Sequence, residues 1–276
     1  HGCSRHRGRC VSGAGAIRMT RVTRRSYPLK RVFDLLLSGA VLIAASPLLL
    51  GAMLAVWLQD FHSPFYRAPR VARGGGDFTM MKIRSMVVNA ANSGVSSTGA
   101  DDRRITAVGR FIRRWKVDEL SQFLNVLAGS MSVVGPRPQV RAWGVDLYTA
   151  EEMELLSVRP GITDLASIVF SDEGDILAGS EHADLEYNRL IRPWKSRLGL
   201  FYIQHMSLGL DLKIVWLTFL AIINKPKALA GIERILARHS ADPILISVCR
   251  RAEPLTAYPP PGSDVVETGA AAGYGV

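Results

Sequence analysis

Between Arg110 and Pro138 the chain runs RFIRRWKVDELSQFLNVLAGSMSVVGPRP, and these 29 residues hold the side chains best suited to chemistry. An adjacent acidic pair, Asp118-Glu119, follows a cluster of cations (Arg110, Arg113, Arg114, Lys116), and a rigid Pro136-Arg137-Pro138 closes the stretch. A carboxylate beside several guanidinium groups suggests a nucleophile or metal ligand next to an anion-binding site. Phosphoryl transfer needs that pairing, because its barrier is lowered by positioning and charge neutralisation.

Each of these residues also has a plainer reading. Neighbours on a helix point about 100° apart, so Asp118 and Glu119 are not a face-to-face acid pair. Asp118 would serve equally as a helix N-cap, with Arg114 as its salt-bridge partner. The two roles are compatible, since backbone donors and the dipole at a helix N-terminus attract phosphate. Arg113 and Arg114, taken alone, are a solvated helix face. Arg137 is more specific, because a proline on either side preorganises its guanidinium for bidentate contact with a phosphate or a base edge. Lys82 and Arg84 alternate along a strand-like run and share a face. His62, His182 and His205 lack metal-site spacing, and Asp172, Glu173 and Asp175 read as an acidic loop. Gly74-Gly75-Gly76 is no P-loop, since no Gly-Lys-Ser/Thr follows at the required spacing.

The elements that must position these residues begin with Leu35–Leu58, 24 residues without a formal charge. A membrane-spanning helix needs about 20. Ser46-Pro47 lies at its middle, where proline removes a donor and kinks or breaks a helix. Two outcomes stay open, a kinked span or a helix that turns back to the face it entered. Basic residues on both sides of the run fit a single crossing poorly. Further on, residues 61–77 read as a loop and Phe78–Arg84 as strand-like, and residues 89–102 as a surface loop. Ile105–Lys116 is expected to be a basic helix with Phe111, Ile112 and Trp115 on its apolar face. Asp118–Leu127 is a helix ended by Gly129, and 130–140 is a turn. Leu147–Val158 is an acidic-faced helix, and 162–171 a strand or short buried piece. Glu181–Gln204 is amphipathic and basic, suited to an interface or to core packing. The apolar Ile214–Ile223 is too short to span. From about Ala252 a Pro/Gly/Ala-rich tail is expected to be disordered.

Charge narrows the class. The chain of 276 residues carries +10, is 48% hydrophobic and has a positive mean hydropathy of +0.13. Nine of its 34 basic residues lie in residues 1–31, which contain no acid, and the rest carries 25 basic against 24 acidic side chains. A basic arm just before an apolar run marks a cytoplasmic, headgroup-facing segment, whereas a nucleic-acid binder would spread basic patches over its folded body. Three cysteines, Cys3, Cys10 and Cys249, form neither a disulfide framework nor a zinc pattern. Met19 offers an internal start that would make residues 1–18 an extension of the reading frame.

Taken together, the residues resemble a family. The apolar Lys30–Leu58 run with its central Ser46-Pro47 precedes SPFYRAPR (63–70), FTMMKIRSM (78–86) and DDRRITAVGRFIRR (101–114). VDELSQFLNVLAGSMSVVGPRP (117–138), RPGIT (159–163) and DLKIVWLT (211–218) follow in order. This pattern, over roughly residues 29–224, is similar to the bacterial sugar transferases, the monotopic phosphoglycosyl transferases. The resemblance implies an α/β, predominantly helical fold with a re-entrant membrane helix (29–60) broken at Ser46-Pro47. A small cytosolic catalytic domain (61–224) with amphipathic interfacial helices would follow, preceded by a disordered leader (1–28) and followed by a C-terminal extension (225–276).

The implied reaction moves a phosphosugar from a UDP-sugar to undecaprenyl phosphate at the bacterial inner membrane, releasing UMP and starting exopolysaccharide, capsule or O-antigen assembly. Downstream glycosyltransferases would then act on the product, and no nucleic acid takes part. By the same resemblance Asp118 is the nucleophile and Glu119 its metal or proton partner, both near Mg²⁺. Lys82, Arg84, Arg113 and the Pro136-Arg137-Pro138 motif would bind the phosphates or nucleotide. Ala68, Ala72, Ser121, Asp164 and Ser167 depart from the family pattern, which predicts a variant pocket. The contrasting expectation is an inactive membrane-anchored scaffold. Without the extra spanning segments of larger relatives, a minimal catalytic form is expected.

Overall fold

Residues 30–60 are apolar for long enough to make one helix the largest feature of the chain. The computed structural model describes residues 26–90, 102–142, 144–180 and 182–267. Residues 1–25 of the leader, Met19 among them, and nearly all of the 89–102 loop lie outside the described residues. Helix α1 (Lys30–Asp60) has 31 residues, and among the described residues it alone is long and apolar enough to cross a membrane. The helix continues through Ser46 and Pro47, so the break expected there is not a loss of helix. Pro47 has no N–H to offer the Ile43 carbonyl one turn back, and Ser46 Oγ donates to that carbonyl instead, at 2.8 Å. Lys30, Asp34 and Ser38 are buried near the start of α1 and Ala52 and Val56 near its end, with no buried residue between Ser38 and Ala52.

Strands β1 (Phe65–Val71) and β2 (Asp77–Ile83) form an antiparallel hairpin in which Tyr66 faces Lys82 and Ala68 faces Met80. The prolines that suggested a loop before residue 77 are tolerated because β1 is an edge strand, where a missing donor costs no ladder bond. Helix α2 (Ala107–Arg114) is capped by Thr106, whose side chain accepts from Gly109 N at 2.9 Å. Its inward stripe is Gly109 and Ile112, continued from the buried Ile105 just before it; Phe111 and Trp115, expected on the apolar face, are exposed. Gly109 decides this orientation. A Cβ there would lie 1.8 Å from the Ser85 carbonyl oxygen, so only glycine lets α2 sit against the end of β2.

The helix expected over 118–127 is two short ones, α3 (Val117–Leu120) and α4 (Gln122–Ala128), joined at Ser121. Asp118 is not the N-cap. That position is Lys116, in the left-handed region at φ 54 with no side-chain cap, and Asp118 lies within the first turn. Gly129, at φ 88, ends α4 as its position suggested. Strands β3 (Ser132–Val134) and β4 (Gly161–Thr163) pair in parallel.

The acidic-faced helix expected over 147–158 is two short 3-10 turns, 145–147 and 152–157. The reason is tertiary: Glu152 is fully buried and receives Arg192 Nη2 at 2.6 Å and Ser196 Oγ at 2.6 Å. Helices α5 (Leu165–Val169), α6 (Glu173–Ile176), α7 (Ala183–Glu186) and α8 (Arg192–His205) follow, with a π turn at 187–191. α8 is a core helix, because Trp194, Leu198, Phe201 and Tyr202 are all buried; the interfacial alternative for this segment does not hold. Helix α9 (Leu208–Ile223) buries Leu210, Ile214 and Leu217 and exposes Leu212, Trp216, Phe219 and Ile222. Helices α10 (Lys225–Arg238) and α11 (Pro243–Arg250) pack on this core. Residues 252–267 contain no helix or strand, yet they are fixed: the Tyr258 ring lies 4.4 Å from that of Trp194, and Arg197 Nη1 donates to Pro259 O at 2.9 Å.

Candidate active site

The end of β2 is where the chemistry-bearing residues meet. A cleft of about 570 Å³ opens there, and Arg70, Lys82, Arg84, Arg113 and Asp118 are among its lining residues. Side chains of α3 and α4 complete the outer edge of β2. Asn125 Oδ1 accepts from Met81 N and Asn125 Nδ2 donates to Thr79 O, both at 2.8 Å, while Ser121 Oγ donates to Met81 O at 3.1 Å. These bonds satisfy backbone groups that would otherwise be stranded, and they place α3 directly over Lys82. Neither residue was singled out for this role in the sequence. The signal was present at Asn125, a polar residue inside the apolar FLNVL run.

Asp118 faces Lys82, whose Nζ is 3.9 Å from Asp118 Oδ2. That is a Coulombic contact rather than a hydrogen bond. Asp118 Oδ1 is buried with no hydrogen-bond partner. Burial therefore raises the Asp118 carboxyl above its ordinary value, with Lys82 the main opposing influence and Glu119 adding to the rise. Arg114, the partner expected from sequence, gives way to Lys82.

Glu119 is in the opposite state. Burial works against its charge, but Arg137, Lys82 and Lys116 outweigh that and hold its carboxyl down at about 2. Arg137 Nη2 donates to Glu119 Oε1 at 2.8 Å. Two adjacent carboxylates are thus pushed apart in acidity, which is how one site separates two roles. Glu119 carries a depressed value, so its contribution to stability is present above the ordinary 4.5 and is lost as the pH falls toward about 2. Arg137→Gln is expected to cost on the order of 2 kcal/mol at pH 7. The difference in Tm from wild type should shrink across that acid window, as melting curves between pH 7 and 2 would show.

Arg137 is held from both sides. Its backbone N–H donates to Asp164 Oδ2 at 3.3 Å, and Asp164 Oδ1 also caps α5 by accepting from Ser167 N at 2.6 Å. Asp164, one of the departures from the family pattern, therefore braces the arginine's backbone. Ser121, another, donates both to Met81 O and to Asp118 O at 3.0 Å.

The remaining sequence-derived site residues divide. Arg113 lines the cleft and donates through Nε to Ser85 Oγ at 2.8 Å. Arg84 lines it as well, but its guanidinium is engaged with Asp60 at the end of α1, at 2.5 and 2.6 Å. Pro136 and Pro138 border a small cavity of about 20 Å³ and are not in the cleft lining. Ser46 and Pro47 lie in the unburied middle of α1. Arg70, not singled out in the sequence, joins the cleft lining.

The donor set suits a cation only in part. Among the described residues no group of three His, Cys, Asp or Glu side chains could hold a metal. The unpartnered Asp118 oxygen is nonetheless the kind of ligand a hard divalent cation takes, and Mg²⁺ is commonly held by one or two carboxylates plus substrate phosphates.

Comparison with known proteins then places the chain. Residues 25–225 match the family described as Bacterial sugar transferase. The chain belongs to that family. A UDP-glucose:undecaprenyl-phosphate glucose-1-phosphate transferase of Caulobacter vibrioides is 35% identical over 202 residues, covering 72% of this chain and 71% of the relative. A protein of the same name from Escherichia coli is 38% identical over 204 residues, 71% of this chain and 41% of the relative. A UDP-N-acetylgalactosamine-undecaprenyl-phosphate N-acetylgalactosaminephosphotransferase of Aeromonas hydrophila is 34% identical over 199 residues, 71% of this chain and 44% of the relative. The chain thus spans less than half the length of two of these three family members. The family match ends where α10 begins, so nearly all of α10, α11 and the packed segment after them lie beyond it.

Proposed function

We propose that this chain transfers a phosphosugar from a UDP-sugar to undecaprenyl phosphate, with Asp118 as the nucleophile. The observation that carries this reading is Asp118 itself. It is a largely covered carboxylate with one buried oxygen lacking any donor, beside Lys82 and a cation-lined cleft, in a family whose members are named for sugar-phosphate transfer to undecaprenyl phosphate.

In the first step an Asp118 oxygen forms a bond to the β-phosphorus, and the bond from that phosphorus to the bridging oxygen breaks. UMP leaves with the electron pair, and an aspartyl-phosphosugar remains. In the second step a phosphate oxygen of undecaprenyl phosphate attacks the same phosphorus and returns the carboxylate. No net proton is needed at Asp118, and the kinetics are ping-pong. Lys82 and Arg113 neutralise charge on the transferred phosphate, and Arg137 acts through its pair with Glu119. Mg²⁺, held by Asp118 with Glu119 as the neighbouring carboxylate, would neutralise the diphosphate.

The reading extends to the membrane. α1 supplies an apolar anchor, and both of its ends pack on the folded body while its middle stays unburied. A straight 31-residue helix is about 46 Å long, so docking both ends on the same body favours a bend at Pro47 and a re-entrant path. The body, 61–224, then sits at the cytoplasmic face of the inner membrane and passes its product to downstream glycosyltransferases. The test is UMP release from a panel of UDP-sugars, with Mg²⁺ and undecaprenyl phosphate present. Release that depends on one donor supports the reading. No release from folded protein with any donor would leave the scaffold reading in its place.

A further inference from the structure

The four residues at and just after the end of β2 each reach a different part of the molecule. Lys82 faces Asp118. Ile83 is buried against Ala52 and Val56 of α1, Ile112 of α2 and Val117 of α3. Ser85 accepts from Arg113 through Oγ and from Thr106 N through its carbonyl, at 2.8 and 3.1 Å. Arg84 spends its donors on the end of the membrane helix. Nη1 and Nη2 reach the two Asp60 carboxylate oxygens at 2.5 and 2.6 Å, and Nε reaches Ser63 O at 3.0 Å. The Arg84 side chain is only 10% exposed and that of Asp60 25%. Asp60 is itself fixed, because His62 N donates to its Oδ1 at 3.0 Å and Phe61 closes α1 in the left-handed region.

A bidentate, largely covered fork of this kind holds position far better than an exposed ion pair. It lies between the two cations that the proposed reaction needs: Lys82 is two residues before Arg84, and Arg113 hangs on the residue after it. Lys82 and Ser85 lie within two residues of Arg84, a reach of only a few covalent bonds along the backbone, so a shift of Arg84 moves both cations.

We infer that Asp60, at the cytoplasmic end of the membrane helix, is a positioning residue that sets Lys82 and Arg113 for the donor diphosphate by clamping Arg84. This rests on the donor reading proposed above. It reassigns Arg84 from a direct phosphate ligand to the strut that holds two such ligands in register with the anchor.

The experiment compares wild type, Asp60→Asn, Asp60→Glu, Arg84→Gln and the Asp60→Asn/Arg84→Gln double variant, with Glu233→Gln as control. Glu233 forms an exposed ion pair with Arg250, both guanidinium nitrogens reaching one carboxylate oxygen, far along the chain and outside the family match. Two readouts are used: KM and kcat for UMP release, and calorimetric binding of UMP. The expected result is a rise of about tenfold or more in KM and a matching weakening of UMP binding in Asp60→Asn and Arg84→Gln. The double variant should be no worse than either single one, because both remove the same interaction. Asp60→Glu should recover part of the loss, and the control should not move KM. A merely structural clamp would instead lower kcat through the folded fraction and leave KM and UMP affinity at wild-type values, which would overturn the inference. Wild type that neither binds UMP nor releases it would count against the donor reading instead.

Discussion

Asp118→Asn is expected to lower UMP release by about 10³-fold or more and, at the same time, to raise the Tm. The loss follows because an amide cannot form the acyl-phosphate. The gain in stability follows from burial. The Asp118 carboxyl sits above its ordinary 3.8, chiefly through desolvation, so the fold favours its protonated form. The sign is therefore the reverse of that for Glu119. Its favourable contribution is complete below 3.8 and is lost as the pH rises through the raised value, leaving a buried charge at pH 7 that costs stability. Asparagine carries no charge at any pH. Its advantage should be about 2 °C or more at pH 7 and should close as the pH is lowered toward 4. Melting curves of the two proteins at pH 7 and pH 4, beside a UMP assay, check both halves. A variant that loses activity and melts earlier at pH 7 would argue that Asp118 is a structural carboxylate.

Gly161→Ala should be a severely damaging small substitution near the site. The chain just after β3 crosses close to the start of β4 at two glycines, Gly135 and Gly161. A Cβ on Gly161 would lie 2.2 Å from Gly135 N and 2.3 Å from Gly135 O, and one on Gly135 would lie 2.5 Å from Arg159 O. All three are backbone atoms, which cannot swing aside as a side chain can. The same crossing carries the bonds Gly135 N to Thr163 O at 3.1 Å and Gly161 N to Pro136 O at 2.9 Å, so it aims Pro136-Arg137 at Glu119. Forcing the strands apart is expected to cost on the order of 3 kcal/mol. That corresponds to a fall in Tm of about 6–12 °C for a domain of this size. Residual folded protein should also bind the donor poorly, because Arg137 is displaced. Gly174→Ala, where nothing lies within 4 Å of the added atom, is the control and should change Tm by less than about 2 °C.

The departures from the family pattern separate into those with a visible role and those without. Ser121 and Asp164 each make two hydrogen bonds that hold Asp118 and Arg137 in place. Ser167 Oγ is buried with no partner, and nothing in the structure explains it. Ala68 is fully buried on β1 opposite Met80, where a larger side chain would have to displace the core.

The sequence by itself determined the pieces whose physics is local. A 24-residue uncharged run is a long apolar helix whatever surrounds it, and Gly129 ends α4 because a left-handed residue there is cheapest as glycine. The ordered blocks around Asp118, Pro136-Arg137-Pro138 and Arg159-Pro160-Gly161 were enough to reach the family. Tertiary structure decided how the pieces face one another. Phe111 and Trp115 were expected inward, but the near-contact of Gly109 with Ser85 turns α2 the other way. An acidic helix was expected at 147–158, but Glu152 turns inward to a buried Arg192 some 40 residues later. Asp118 and Glu119 are neighbours in the sequence, and only the fold, which covers Asp118 and sets Arg137 against Glu119, pushes one carboxyl up and holds the other down. Charge partners act over a few ångströms regardless of separation along the chain. Hydrophobic periodicity and capping report on the next turn of helix, whereas the state of a carboxylate depends on what the fold sets beside it.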